Sequence, residues 1–506
     1  MLKIKRALLI QIILLVSVSQ SLGAVHNVVS FGAIADGKTL NTTAIQSAID
    51  AANKDGGGVV SIPKGTFLSG SLMLRSNVQI HLEKGAVLLG SDLPQHYVHV
   101  ALHSWCGNGW KSLIIADGAT NIGIHGKGTI NGQGCSLGLR IDSLFYAGDI
   151  DSKYYEREKR VVAHKRPQLI RLVQCTNVLI SGITLEDAAS WVQTYEQCTN
   201  LEIDNIRVLS TAYWNNDGMD IMDCKNVRIT NCFVNSADDG ICLKSFSQDT
   251  NWFCDNIYIG NCTVRSSASA IKLGTSSYSG FKNIIIENIK VYDTYRSAIA
   301  IESVEGGFIE NVLVQNIRAV NTGNAIFIRL GLKEAYAHRP MGSVRNVIIR
   351  DVKVSVPYDQ PDFEYNLRGP ALPFFHNVFP ASIAGIPGYP VENIVLENII
   401  ITYPGKGNAC YANLPLWRLQ DVPEEIGAYP EFSMFGELPA WAFYVRHVDG
   451  LTMRNLQVKI KKPDYRPAFV FDDVNALELE SIVVKGDVKK DAFIFRDVGN
   501  IKEDKK

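Results

Sequence analysis

The 506-residue chain carries almost no net charge, with 50 Lys+Arg against 51 Asp+Glu and a formal −1 at pH 7. The global basic bias expected of a nucleic-acid binder or of a protein held on an anionic membrane is therefore missing. Proline is sparse at 18 residues, which excludes a collagen-like chain, and 46% hydrophobic against 20% charged residues exclude a disordered one. There is no Cys-x-x-Cys pair, so a structural zinc site has no support. Beyond the N-terminal region no apolar run approaches the roughly 20 residues of a membrane-spanning helix. The glycine run Gly56-Gly57-Gly58 is not followed by Gly-Lys-Ser/Thr, so it is not a phosphate loop.

The front of the chain reads as an export signal. Lys3, Lys5 and Arg6 precede an apolar stretch from Ala7 to Val18, and Ser21-Leu22-Gly23 supplies a small-residue cleavage region. Residues 1–23 are expected to be removed, leaving 24–506 as one secreted or periplasmic domain. Ten cysteines in an exported chain would permit disulfides. However, Cys175, Cys198, Cys224 and Cys254 recur at one repeat position and Cys232 and Cys262 at another, which favours stacked small apolar side chains.

The dominant pattern is a repeated phrase of Asn followed by alternating aliphatic residues and a turn. It begins at Asn177, Asn200, Asn226, Asn256, Asn283, Asn311, Asn346 and Asn393, with weaker copies at Asn77 and Asn121. Period-2 strands recurring every twenty-odd residues, with no helical spacing between them, specify a β-solenoid. Longer steps are loop insertions. A second column of strands runs between the phrases: Met219-Asp220-Ile221, Ile241-Cys242-Leu243, Ile271-Lys272-Leu273, Ile299-Ala300-Ile301 and Ile326-Phe327-Ile328. Alternation turns the aliphatics inward. Asp220, Cys242, Lys272, Ala300 and Phe327 then face out, followed two residues later by Met222, Lys244, Gly274, Glu302 and Arg329. That surface resembles a groove for an extended ligand. Ahead of the coils, Asn41 to Ala52 has a capping residue and apolar 3.6-residue spacing at Ile45, Ala48, Ile49 and Ala52, predicting a helix over the open end of the stack.

Acidic residues concentrate at Asn215-Asn216-Asp217-Gly218-Met219-Asp220 and Ser236-Ala237-Asp238-Asp239-Gly240. A coil step displaces a residue about 4.8 Å sideways, so Asp217, Asp238 and Asp239 are expected to converge. Crowded carboxylates push one another's proton affinities apart, which yields an acid and a base in one cleft. Glycosidic hydrolysis needs such a pair, to protonate the leaving oxygen and to activate water.

These two motifs, the second continuing as Ile241-Cys242-Leu243-Lys244-Ser245, resemble those of glycoside hydrolase family 28, the polygalacturonases and related pectin hydrolases. Phe31-Gly32-Ala33-Ile34-Ala35-Asp36-Gly37 and the stretch from Gly56 to Gly65 look like the entry of the same pectin-lyase-like superfamily. The resemblance spans about residues 27–485. It implies a right-handed parallel β-helix, an all-β catalytic domain acting on pectic poly- or oligosaccharide by an inverting mechanism. Asp238 would be the general acid, Asp217 and Asp239 would position and deprotonate water, and Lys244 would be a basic substrate contact. No metal or organic cofactor is implied.

Two departures bear on substrate. The family's Gly-His-Gly falls at Ala268-Ser269-Ala270, and its Arg-Ile-Lys at Ala298-Ile299-Ala300. Lys272 and Arg329, with Asp220 and Glu302 beside them, are candidate substrate contacts that relocate the missing cations. The alternatives are an uncharged sugar at that point, or Lys272 and Glu302 forming only a cross-coil salt bridge. Insertions at 96–110, 138–165, 331–341 and 358–389 carry aromatic residues suited to sugar stacking, Tyr146, Tyr154, Tyr336 and Phe374 among them. Loops walling the groove would favour an exo-acting or side-chain-trimming enzyme over an open endo cleft. The rivals are a Ca²⁺-dependent lyase on the same fold and a non-catalytic carbohydrate-binding solenoid.

Overall fold

The computed structural model describes residues 23–98, 104, 111–150, 165–211, 213–361, 376–409, 418–486 and 491–503. The proposed leader up to Leu22 lies outside them, as do most of insertion 96–110, residues 151–164 and 362–375, and Cys106 and Cys410. Each repeat phrase opens one coil, built of three short strands in the middle of the chain and of long continuous ones such as Gly280–Ser303 and Phe308–Leu330 further on. The coil opened by Asn200 comprises Thr199–Asp204, Arg207–Ser210 and Met219–Met222. The next comprises Lys225–Thr230, Phe233–Ser236 and Ile241–Ser245. Corresponding strands pair in parallel without register slips, giving three sheets along one axis. The chain is a right-handed parallel β-helix, the hand that parallel crossovers of L-amino acids adopt.

The repeated asparagine has a backbone reason. Asn200, Asn226 and Asn256 sit at φ of 56°, 55° and 55°, the left-handed region that Asn tolerates better than most residues. Each Nδ2 donates to the Oδ1 of the asparagine one coil before, at 2.9, 3.1 and 2.8 Å. Inside the first sheet, Val178, Leu201, Val227, Ile257 and Ile284 stack in register and are all buried. Truncating one such residue to Ala costs about 2–5 kcal/mol, through lost apolar contact and a residual cavity. Cys175, Cys198, Cys224 and Cys254 continue this packing as free, buried thiols, as do Cys232 and Cys262.

Helix α1, Thr42–Lys54, buries Ile45, Ala48, Ile49 and Ala52 over the N-terminal coil, as their spacing predicts. Asn41, read as its cap, makes no capping bond. Its side chain accepts from the Ile34 amide at 2.7 Å and donates to the Ile34 and Thr39 carbonyls at 3.0 and 2.8 Å, tying the preceding loop to the helix. A second helix, α2 (Gly134–Tyr146), occupies the start of an insertion read as an aromatic loop. Among the described residues no helix is long and apolar enough to cross a membrane.

The outer face of the third sheet is not an open groove over its whole length. Residues 418–440 fold back across it. Leu419, Val422, Phe432, Phe435 and Leu438 pack on Ala300, Phe327, Ala384, Tyr444 and Val470 in a second apolar core outside the solenoid. Towards the N-terminal coils the same face carries the fully buried pair Arg171–Glu196 at 3.1 Å, with Ser104 on Glu196. Between these two covered stretches lies the acidic cluster.

Candidate active site

Asp217 and Asp239 close the turns that lead into Met219–Met222 and Ile241–Ser245. The turns nest by backbone bonds, Gly218 N–H to the Asp239 carbonyl at 2.8 Å and Gly240 N–H to the Ser269 carbonyl at 2.8 Å. A Cβ at Gly218 would lie 2.6 Å from the Gly240 carbonyl oxygen, and one at Gly240 2.6 Å from that of Ala270, so only glycine permits this spacing. Asn216 is wholly structural. Buried, it donates to the Ala188 and Ser190 carbonyls at 2.8 Å each and accepts from Ser210 Oγ at 3.0 Å.

This scaffold brings carboxylate oxygens of Asp217, Asp238 and Asp239 within 4.8 Å of one another. Asp238 is the least buried of the three, while Asp217 and Asp239 are 4% and 5% exposed. Two lysines of the outward columns hold the cluster. Lys244 lies 3.0 Å from Asp217 and 2.7 Å from Asp220. Lys272 lies 3.1 Å from Asp239 and 3.8 Å from Glu302. Asp239 also accepts from the Ser269 amide at 3.1 Å, and the Asp239 amide donates to Asp238 at 2.9 Å.

The electrostatics separate the roles. Burial, with the neighbouring Asp239 charge, pushes the Asp238 carboxyl above the usual range. For Asp239 burial acts in the same direction, but Lys272, Lys244 and Arg296, with the Ser269 amide, outweigh it and hold the carboxylate ionised. Burial raises Asp217 well above the usual range, against the pull of Lys244, so it too favours its protonated form. Asp220 is raised to about 6 and Glu302 to about 7, each by burial opposed by its lysine. Adjacent residues on one turn are thus shifted in opposite directions, Asp238 towards holding a proton and Asp239 towards releasing it.

Of the sequence-read contacts, Asp220, Lys244, Lys272 and Glu302 surround the acidic cluster, and Lys272 with Glu302 does form the cross-coil salt bridge. Arg329 is not brought to it. The Arg329 guanidinium is buried, donating to the carbonyls of Gly385 at 3.0 Å and of Glu424 and Glu425 at 2.6 and 3.1 Å, and it lies 5.1 Å from the Phe435 ring centre. It anchors the covering segment through its two terminal nitrogens. Tyr336 packs on Tyr278 with ring centres 6.1 Å apart, and Tyr146 is exposed with its ring edge-on to Phe145 at 5.4 Å.

Several site residues escaped the sequence reading. Arg296 is buried beside the cluster and paired with Glu431 at 2.6 Å. It was hidden by a register shift between Thr294 and Ser297, which places a cation two residues before the expected Arg-Ile-Lys position. Tyr429 and Glu431 come from the covering segment, with the Tyr429 hydroxyl 3.5 Å from Lys272 Nζ. The signal for that segment was the long stretch after the last phrase, at Asn393, containing Tyr429, Phe432 and Phe435. Trp191 places its ring 4.9 Å from Lys244 Nζ.

Comparison with known proteins gives a consistent picture. Residues 57–358 match the family described as "Glycosyl hydrolases family 28", and residues 25–85 match "Rhamnogalacturonase A/epimerase, pectate lyase-like". A "Probable polygalacturonase" of Vitis vinifera is 28% identical over 414 residues, covering 75% of this chain and 74% of the relative. Among solved structures, an exopolygalacturonase from Thermotoga maritima superposes with a TM-score of 0.60 at 21% identity, covering 75% of this chain and 87% of that one. A family 28 exopolygalacturonase of Yersinia enterocolitica superposes at 0.56 and 20% identity, covering 94% and 78%.

Proposed function

The chain belongs to glycoside hydrolase family 28, and from that premise we propose that it is a secreted hydrolase that trims pectic poly- or oligosaccharide from a chain end, with residues 1–23 as leader and 24–506 as catalytic domain. The observation that carries this reading is the cluster of Asp217, Asp238 and Asp239 within 4.8 Å, in which adjacent carboxyls have opposite proton affinities.

Asp238 protonates the glycosidic oxygen as the C–O bond breaks. A water held between Asp217 and Asp239 attacks the anomeric carbon, giving its proton to Asp239. The nearest oxygens are closer than the roughly 6.5–9.5 Å usual between paired carboxyl groups of inverting enzymes. Three carboxyls share the work here, so the water need not lie between the acid and a single base. Lys244 and Lys272 already pair with Asp217 and Asp239, and their positive charge beside these carboxylates disfavours a divalent cation, which supports the hydrolase over the Ca²⁺-dependent lyase. The covered coils on both sides of the cluster, seen among the described residues, support chain-end attack.

The test is to incubate the enzyme with pectic polymer and oligosaccharides and follow products by NMR. A released monosaccharide of inverted anomeric configuration, with little early loss of viscosity, is expected. An unsaturated uronate product would overturn the hydrolase, retention would turn an aspartate into a nucleophile, and rapid viscosity loss would overturn chain-end attack.

A further inference from the structure

The outer faces of the solenoid treat charge differently. On the first sheet cations and acids pair across coils, as where Lys282 and Arg345 flank Glu310 at 3.3 and 3.4 Å. The second sheet does not follow this pattern. On its outer face Lys290, Arg318 and Lys353 lie in register on successive coils, and all are exposed. Arg207 opens the same column, ahead of Phe233 and Thr263, and stacks 4.7 Å from the Phe233 ring centre. The adjacent outward column adds Arg265 and, over the same coils, no acid.

Among the described residues, Arg207, Lys290, Arg318 and Lys353 make no salt bridge. Acids at the turns bounding the sheet are bonded within their own ladders. Asp204 accepts from Thr230 Oγ1 and Asn231 Nδ2 at 2.7 Å each, Asp293 from Asn321 Nδ2 at 2.7 Å, and Asp351 from Asn398 Nδ2 at 2.9 Å. Like charges directly opposite on neighbouring strands destabilise a sheet. Composition does not force them together, since 51 Asp+Glu accompany 50 Lys+Arg. A partner of opposite charge removes the repulsion. It has to be extended, because the cations repeat along the solenoid axis at the coil step of about 4.8 Å. Their file is single, which fits one chain with one charge per unit better than a duplex with two rows of phosphates. A polyuronate has that form, each glycosyl unit carrying one carboxylate.

We propose that the outer face of the second sheet is a polymer-anchoring site, separate from the acidic cluster, where Arg207, Lys290, Arg318 and Lys353 hold the carboxylates of a pectic polyuronate. The Arg207 end of the file lies on the coils that carry the cluster: Arg207–Ser210 precedes Asp217 in its coil, and Phe233–Ser236 runs directly into the turn of Asp238. The ligand class rests on the pectic substrate of the hydrolase reading, so binding is measured apart from turnover and the two can fail separately.

The probe is polygalacturonate, titrated against the full chain carrying Asp238→Asn to prevent digestion. Fully methyl-esterified pectin serves as the uncharged polymer, and duplex DNA and anionic lipid vesicles as other polyanions. Polygalacturonate is expected to bind most tightly, with an affinity that falls as salt is added. Lys290→Gln, Arg318→Gln and Lys353→Gln combined should weaken it at least about tenfold, and Arg318→Gln alone about twofold. Lys282→Gln, which removes a paired cation from the first sheet, should leave it unchanged. Thr263→Lys, which fills a gap in the file, should tighten it, a gain that misfolding cannot imitate. With Asp238 restored, the triple variant should keep its kcat/KM on short pectic oligosaccharides and raise KM on the polymer.

Equal affinity in the parent and the triple variant overturns the proposal, as does binding of the methyl-esterified polymer as tightly as the acid form. Tighter binding of DNA or of vesicles overturns it by assigning the face another occupant. Sugar release without binding that depends on this file leaves the hydrolase standing and removes the anchor. File-dependent binding by an enzyme that releases no sugar from any pectic probe removes the hydrolase and leaves the anchor.

Discussion

The first and third sheets of the solenoid share one backbone geometry but have opposite outer faces. On the first sheet, Glu202, Arg228 and Tyr258 lie in register on successive coils, exposed or half-buried, with Arg228 stacked 4.7 Å from the Tyr258 ring centre. On the third, Asp220, Cys242 and Lys272 lie in register in the same way, yet all are buried. The strands do not make this difference. The third sheet is overlaid by segments from the turns, and covering a charged face removes the water that would screen it. A carboxylate on the first sheet has an ordinary solvated neighbourhood. On the third, burial and the arrangement of Lys244, Lys272 and Arg296 set Asp238 and Asp239 apart within one turn.

The largest effect should come from removing the proton donor. Asp238→Asn keeps the size of the side chain and loses the transferable proton, so turnover of a pectic substrate should fall about 10²–10⁴-fold. Glu202→Gln, an acid removed from the other sheet, should leave the rate unchanged. Reducing-sugar release, with circular dichroism to confirm folding, reads both. Equal rates in wild type and Asp238→Asn would turn the molecule into a binding solenoid.

A finer break targets the cation that keeps the base ionised. Lys272 favours the charged form of Asp239 directly and that of Asp238 more weakly, so losing it raises the proton affinity of both. In Lys272→Met the acid limb of kcat/KM against pH, where Asp239 must be deprotonated, should move to higher pH. The basic limb, where Asp238 must stay protonated, should follow by less. Arg228→Met on the first sheet should move neither limb. An unmoved profile in Lys272→Met would take the role of base away from Asp239.

What could be read from the chain tracks the distance over which each feature is decided. The coils were legible because alternation and the asparagine positions act within a few residues, and Asp217, Asp238 and Asp239 because parallel stacking carries sequence spacing directly into space. Arg296 was not legible, since a one-residue register shift between Thr294 and Ser297 re-aims a side chain without altering the aliphatic pattern around it. Glu431 and Tyr429 were not, because they reach the site through a loop that returns from more than a hundred residues downstream. Arg329 was misplaced for the same reason. Its column was correctly inferred, but the carbonyls that capture it belong to Gly385, Glu424 and Glu425.

The smallest effect sharpens the comparison from the side with no chemistry. Asn226 combines a left-handed backbone with a ladder bond, accepting from Asn256 at 2.8 Å and donating to Asn200 at 3.1 Å. Asn226→Ala loses both and should destabilise the coil by about 1–2 kcal/mol, the usual cost of that conformation for a residue with a Cβ. Asn226→Gly loses only the ladder bonds and adopts the conformation freely, so it should lie between wild type and the alanine variant in chemical denaturation. Neither should alter kcat/KM, because a solenoid transmits such a defect only to neighbouring coils, and this position is on the sheet that carries no catalytic group. If the glycine variant were as unstable as the alanine one, the side-chain ladder rather than the backbone would be what each repeat requires of its asparagine. The phrase that made the fold readable would then be conserved along the chain for hydrogen bonds between coils and not for the turn within each.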